Sequence, residues 1–172
     1  MKKPVRSSAR PSPAPVRIRR AGKSDARALL RLIDALADYE KLKRPTRAAR
    51  ERLIRDGQGT GRRYDAYLAF SGRTPVGYAI VFETYSSFLA LPTLYLEDLF
   101  VLPDYRKQRV GLALFRHCVR EALHRGCGRM EWVVLDWNAI AIRFYERLGA
   151  HYLKEWHTYR LVGKDLKRLA AR

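Results

Sequence analysis

Two carboxylates, Glu97 and Asp98, interrupt the apolar run LYLEDLFV (94–101). Burying a charge without a partner costs free energy, so an acidic pair flanked by Tyr95-Leu96 and Leu99-Phe100-Val101 is poorly placed for solvation alone. A carboxylate held there can take a proton from an ammonium group, directly or through water. A few residues on, YRKQRVG (105–111) places Arg106, Lys107, Gln108 and Arg109 ahead of Gly111. A helical pattern follows. A helix N-terminus presents unpaired N–H groups and roughly half a unit of positive charge, so it binds phosphate where the backbone can come close. Gly111 offers that approach and Arg106, Lys107 and Arg109 add charge, although an ordinary solvated turn can carry the same residues. The spacing fits neither a P-loop nor a three-glycine dinucleotide fingerprint. A third group, Tyr145, has an ordinary pKa of about 10 and is a proton donor at neutral pH. It lies seven residues after Asn138, almost two helical turns, so the two share a helix face. Packing beside Phe144 is the alternative use of that ring.

These groups need elements to position them. VRIRRA (16–21) alternates as a short strand does. Ser24 and Asp25 then open a helix striped by Leu29, Leu32, Ile33 and Leu36 that runs to about Asp38. Thr46 caps a second helix that stops near Gly57. YDAYLAF (64–70) and VGYAIVFETY (76–85) flank SGRTP and predict a β-hairpin. The mostly apolar 94–101 segment predicts a central strand. Leu112, Phe115, Val119 and Leu123 mark a long helix ended by RGCG. MEWVVL (130–135) predicts another buried strand. Asn138 opens a helix that Gly149 follows. HYLKEWHTYRLV supplies a last strand or strand pair, with a helical turn at Leu166 to Ala170. The order is β-α-α-β-β-β-α-β-α-β, an α/β fold with a mixed sheet.

Of 172 residues, 35 are Lys or Arg against 17 Asp or Glu, a formal net charge of +18. Such a chain attracts polyanions. Its charges are spread along the sequence, however, and a dedicated nucleic-acid interface needs a clustered face. Solvated helix faces are the favoured reading, with nucleic acid as the reading not favoured. Cys118 and Cys127 lack metal-ligand spacing, and His117, His124, His151 and His157 share none either, so no metal is assigned. They suit free thiols in a reducing, cytoplasmic compartment. No run is long and apolar enough for a membrane span. Residues 1–15, MKKPVRSSARPSPAP, are basic, rich in Pro and Ser and free of acids, and predict a disordered tail before one domain over 16–172.

The run LYLEDLFV, then PDYRKQRVG, a long helix, a buried strand and WNAIAIRFYERLGA resembles the GNAT family of N-acetyltransferases. Within it, ALADYE (35–40), LYLEDLFV, DYR (104–106) and the WN…FY…GA pattern over 137–150 resemble the spermidine/spermine (diamine) and thialysine acetyltransferase branch, over about residues 16–170. The resemblance implies a GNAT fold, with six to seven strands flanked by about four helices. It implies acetyl-CoA as co-substrate, no metal, a small-molecule amine as acceptor and a homodimer. Acetyl transfer from a thioester to an amine requires the amine to lose a proton, the oxyanion to be stabilised and the leaving thiolate to be protonated. By this resemblance Tyr145 is the general acid and Glu97 the water-mediated base, on a strand that carries a bulge in the family. The cofactor positions are Leu99, Phe100, Val101, Arg106, Lys107, Gln108, Arg109, Val110, Gly111, Leu112, Asn138, Ala141 and Tyr145. The substrate positions are Tyr39, Glu40, Glu97, Asp98 and Glu131. As alternatives, Tyr39 and Glu40 simply end the first helix, and Glu131 is a surface strand residue.

Arg109 stands where the family prefers glycine. A left-handed backbone there costs about 1–3 kcal/mol, and a helical one costs little. The helical conformation is the one expected. The loop TYSSFLALPTLYLED (84–98) departs from the animal polyamine enzymes at Ser86 and Phe88. Diamines, thialysine and amino-acid-like amines therefore stand beside polyamines as acceptors. A protein or ribosomal N-acetyltransferase is the alternative enzyme, and an acyl-CoA-sensing or nucleic-acid-binding module the non-enzymatic one.

Overall fold

Alternating apolar and basic residues make Val16–Arg20 an edge strand, β1, paired antiparallel to β2 (Asp65–Ser71). The structure is a computed structural model that describes residues 15–171. The expected tail lies outside the described residues, apart from Pro15. One turn of 3₁₀ helix at Lys23–Asp25 leads into α1 (Ala26–Tyr39). The acid of that turn does more than favour a helix start. Asp25 is buried and accepts two bonds from the Arg19 guanidinium, at 2.6 and 2.8 Å, and one from the Gly22 N–H. The Arg19 bonds hold its carboxyl below the usual range against the opposing effect of burial. Helix α2 (Arg47–Asp56) starts as its residues predict, with the Thr46 hydroxyl accepting from the Ala49 N–H and Gly57 at the other end.

The hairpin β2–β3 (β3, Thr74–Ser86) turns through Gly72 at φ +59°, a backbone region that glycine enters without strain. Strand β4 (Leu91–Val101), helix α3 (Val110–His124) and a short β5 (Arg129–Glu131) follow. The sheet order is β1-β2-β3-β4-β5, antiparallel up to β4, with β5 parallel to β4. Alternation sorts the side chains of β2 between two layers. Ala66, Leu68 and Phe70 join Leu29 and Leu32 of α1 in a core that also holds Tyr78, Ile80 and Phe100. Tyr67, between them in sequence, points to α3, where its hydroxyl donates to Glu121 and its ring meets His117 edge-on at 4.4 Å. Arg125 ties this layer to the sheet by bonding Asp65, Tyr67 and Glu121 at once. Gly77 is required by packing, because a Cβ there would sit 2.7 Å from the Phe100 carbonyl oxygen.

The chain forms two compact units, Met1–Val133 and Val134–Arg172. The sheet and α1 to α3 belong to the first. The second contains α4 (Ala139–Glu146) and α5 (Gly163–Ala170). The α/β class and mixed sheet are as expected, but the described residues hold five strands and five helices rather than six to seven and about four. Two segments account for the difference. The expected strand over 130–135 is paired with β4 only from Arg129 to Glu131. Residues 151–162 form no strand, and the helix after them begins at Gly163, earlier than Leu166. Alternation is a property of side chains. A strand also needs a neighbour to complete its backbone hydrogen bonds.

Candidate active site

Strand β4 is regular except at one residue. Ile80 pairs with Asp98 and Val81 with Leu96, so Glu97 is left without a partner on β3. This is a β-bulge: one extra residue that breaks the ladder locally and turns the strand. It changes where the two acids go. Glu97 is exposed, while Asp98 is half-buried on the α1 side of the sheet and accepts from the Tyr78 hydroxyl at 3.0 Å. Burial raises the Asp98 carboxyl to about 6, with Glu97 and Glu40 adding like-charge repulsion and the Tyr78 bond opposing it. Burial also raises Glu40. Asp98, Glu97 and Glu40 thus interact as one acidic group, and α1 contributes its share at its C-terminal end. Tyr95 and Tyr78 titrate upward, chiefly from burial, with these acids adding to the effect. Glu131 pairs with Arg129 at 2.9 Å and lies opposite Tyr95 in the β4–β5 ladder.

The second edge of β4 is open where the site needs it. Its ladder with β5 covers Thr93 to Tyr95. The Leu102 N–H donates to Val76 O on β3, so by antiparallel alternation the backbone groups of Leu99 and Val101 point to the other edge. Phe100 directs its ring into the core.

After β4, a 3₁₀ turn at Pro103–Tyr105 delivers the basic loop to the head of α3. Arg106 turns back. Its Nε donates to Val101 O at 3.0 Å, and its guanidinium lies 4.5 Å over the Tyr39 ring and 5.7 Å from that of Phe100. Gln108 donates to Asp104 O at 2.9 Å. Lys107 and Arg109 both have left-handed backbones, φ 60° and 63°. This overturns the helical conformation expected for Arg109. The residue caps α3 as glycine would, and its carbonyl accepts the first helical bond, from Ala113 N–H. Val110 is buried, leaving its backbone as its contribution to any ligand. Gly111 has room. An added Cβ would meet nothing nearer than Val101 Cγ2 at 3.8 Å. The protein's own packing therefore does not demand glycine here, whereas a ligand pressed against the backbone would.

In the second unit, Asn138 uses its side-chain oxygen to accept from the Ala141 N–H at 3.2 Å, capping α4. Tyr145 lies on the last turn of α4, its ring 5.2 Å edge-on from Phe144. Gly149, at φ +86°, follows the helix.

Within the first unit the fold gathers Tyr39, Glu40, Glu97, Asp98 and Arg106 around the C-terminal end of α1 and the bulge. Residues 107–112 form the head of α3. Sequence reasoning missed Tyr78. Its signal was the acid on the neighbouring strand, two residues off in register, which becomes visible only with the bulge in place. Arg106 was read as loop charge, and its ring contacts with Tyr39 and Phe100 could not be read from spacing.

A bulged central strand with an open edge, leading through a short basic loop into a helix N-terminus, is the arrangement of an acyltransferase that holds a pyrophosphate-bearing thioester. Residues 29–150 match the acetyltransferase (GNAT) family, and the chain belongs to it. It is an N-acetyltransferase: it is 36% identical to the thialysine N-epsilon-acetyltransferase of Bos taurus over 168 residues, covering 91% of this chain and 98% of that protein. The fold is shared with an integron cassette protein from the mobile metagenome of V. cholerae, with TM-score 0.78 and 24% identity over 91% of this chain and 98% of that one. It is also shared with an aminoglycoside N-acetyltransferase in complex with CoA, with TM-score 0.72 and 20% identity over 89% and 99%. Members of this family use acetyl-CoA. Among the described residues no three metal-ligating side chains gather.

Proposed function

We propose that the protein transfers an acetyl group from acetyl-CoA to the primary amine of a small molecule: a lysine-like amine such as thialysine, a diamine or a polyamine. The observation that carries this reading is the Glu97 bulge, which sets Asp98 beside Glu40 immediately upstream of the cofactor loop. Acids withdrawn from water favour a cationic guest, and a carboxyl titrating at about 6 is matched to proton transfer near neutrality.

The CoA pyrophosphate rests on the N–H groups at the head of α3, with Gly111 allowing close approach and Arg109 and Lys107 adding charge. The pantetheine arm pairs with the outward backbone groups of Leu99 and with the N–H of Val101, whose carbonyl already accepts from Arg106. The ammonium is held among Tyr39, Glu40, Glu97, Asp98 and Glu131. It loses a proton through water to Glu97, with Asp98 as the neighbouring acceptor. The amine nitrogen then attacks the thioester carbonyl carbon. A backbone N–H released by the bulge stabilises the oxyanion. The C–S bond breaks as the nitrogen releases its second proton through water, the amide forms, and the CoA thiolate takes its proton from Tyr145, which regains one from solvent.

The test is a CoA thiol-release screen over thialysine, diamines, polyamines, free amino acids and basic peptides. Saturable release with small amines is expected. Release confined to peptides would overturn the small-molecule reading, and no release above hydrolysis with any amine would overturn acetyl transfer.

A further inference from the structure

Helix α3 has a second charged face that acetyl transfer does not use. Arg116 and Arg120 lie four residues apart, about one turn, so they project from one side of the helix, below the Arg109 that the cofactor loop uses. They line a groove of about 660 Å³ whose other wall is the edge strand β1, through Val16 and Ile18. Leu112 and Ala113 form part of its apolar lining. His117 also lines it, and its Nε2 is buried without a hydrogen-bond partner among the described residues. Among the described residues no carboxylate lines this groove. Elsewhere on the surface, Arg44 pairs with Asp38, Arg50 with Asp34 and Arg125 with Asp65. Among the described residues Arg116 and Arg120 have no such ion pair.

A groove of this charge selects against two occupants the protein could itself supply. The segment before β1 carries Lys2, Lys3, Arg6 and Arg10 and no acid, and a second copy carries a net +18. Both are repelled. An acidic guest remains. Arginine forks match phosphate bidentately. The groove's length suits a polymer with a charge on every unit.

We propose that the groove between β1 and α3 binds the phosphate backbone of RNA, at a site separate from the acetyl-transfer centre. Arg116 and Arg120 neutralise phosphates there, and the apolar lining lets the strand lie close to the helix. Recognition is of the backbone and is independent of base sequence. The two activities are independent, so loss of either leaves the other measurable.

The experiment is fluorescence anisotropy of a labelled 20-nucleotide single-stranded RNA with the full chain, titrated across salt. The variant is Arg116→Gln/Arg120→Gln, with thermal melting and CoA release as controls for fold and activity. Binding should weaken at least tenfold at fixed salt. The slope of log affinity against log salt should fall by about 1.5, since each phosphate contact contributes roughly 0.7 to it for single strands. Melting and acetyl transfer should be unchanged. RNA binding equal to that of the parent, or no RNA binding by the parent, would overturn the proposal. So would displacement of RNA by saturating acetyl-CoA, which would assign the arginines to the cofactor, or stronger displacement by an oligoglutamate peptide than by unlabelled RNA, which would point to an acidic protein.

Discussion

The Tyr78 hydroxyl donates to Asp98 Oδ2 across 3.0 Å, from β3 to a diagonal neighbour on β4. That bond favours the carboxylate, whereas burial, Glu97 and Glu40 favour the acid, and the carboxyl titrates at about 6. Tyr64 and Tyr78 also face it, with Glu40 reaching it from the end of α1. If ionised Asp98 is needed to accept the ammonium, kcat/KM rises with an acidic limb near pH 6. Tyr78→Phe removes a stabilising donor and should move that limb to higher pH. An unchanged profile would remove Asp98 from the reaction.

The same shift has a stability consequence. Asp98 titrates higher in the fold than in the unfolded chain, so its contribution is full below about pH 4 and lost as pH rises through about 6. Above that range the fold carries a buried charge. Asp98→Asn keeps an acceptor for Tyr78 and removes the charge, and should stabilise the protein by about 2 kcal/mol at pH 8 while depressing kcat/KM. Chemical denaturation at pH 4 and pH 8 checks this, and the gain should be confined to the higher pH.

Gly111 is unconstrained by its neighbours, with an added Cβ 3.8 Å from Val101 Cγ2. Gly111→Ala should fold normally and gain up to about 1 kcal/mol in helix propensity. Its KM for acetyl-CoA should nevertheless rise at least tenfold, because the methyl group occupies the space over the helix N-terminus. Steady-state kinetics beside thermal melting separates the two effects. An unchanged KM would move the pyrophosphate elsewhere.

Arg109 holds a left-handed backbone, φ 63° and ψ 8°. Arg109→Gly should relieve about 1 kcal/mol of strain, raising the melting temperature. It should also raise KM for acetyl-CoA if the guanidinium touches phosphate. A lower melting temperature would show that the side chain stabilises the loop by more than its backbone strains it.

Tyr145 sits on the last turn of α4, after the Asn138 cap. Tyr145→Phe retains the ring contact with Phe144 and removes only the donor. Turnover should fall by about 10²–10⁴ with acetyl-CoA affinity retained, a range ordinary for losing a general acid. Calorimetric titration with CoA together with kcat decides it, and wild-type turnover would exclude the role.

Much of this molecule follows from local chemistry. The helix starts at Thr46 and Asn138, the hairpin around Gly72, the apolar central strand and the phosphate-suited head of α3 depend on interactions within a few residues, and all were legible as residue types at given spacings. The family resemblance was legible for the same reason, through LYLEDLFV and the WN…FY…GA pattern. What the tertiary structure decided depends on pairing and packing across the chain. The bulge at Glu97 is a mismatch between two strands, so neither strand's sequence displays it, yet it separates an exposed Glu97 from a half-buried Asp98. The absence of a strand over 151–162 is likewise a matter of partners. Arg106 meets Tyr39 only because β4 brings its loop to the end of α1. The charge tells the same story. Along the sequence the arginines are scattered, and only the winding of α3 beside β1 collects Arg116 and Arg120 on one wall, because a helix brings together residues that the chain holds apart.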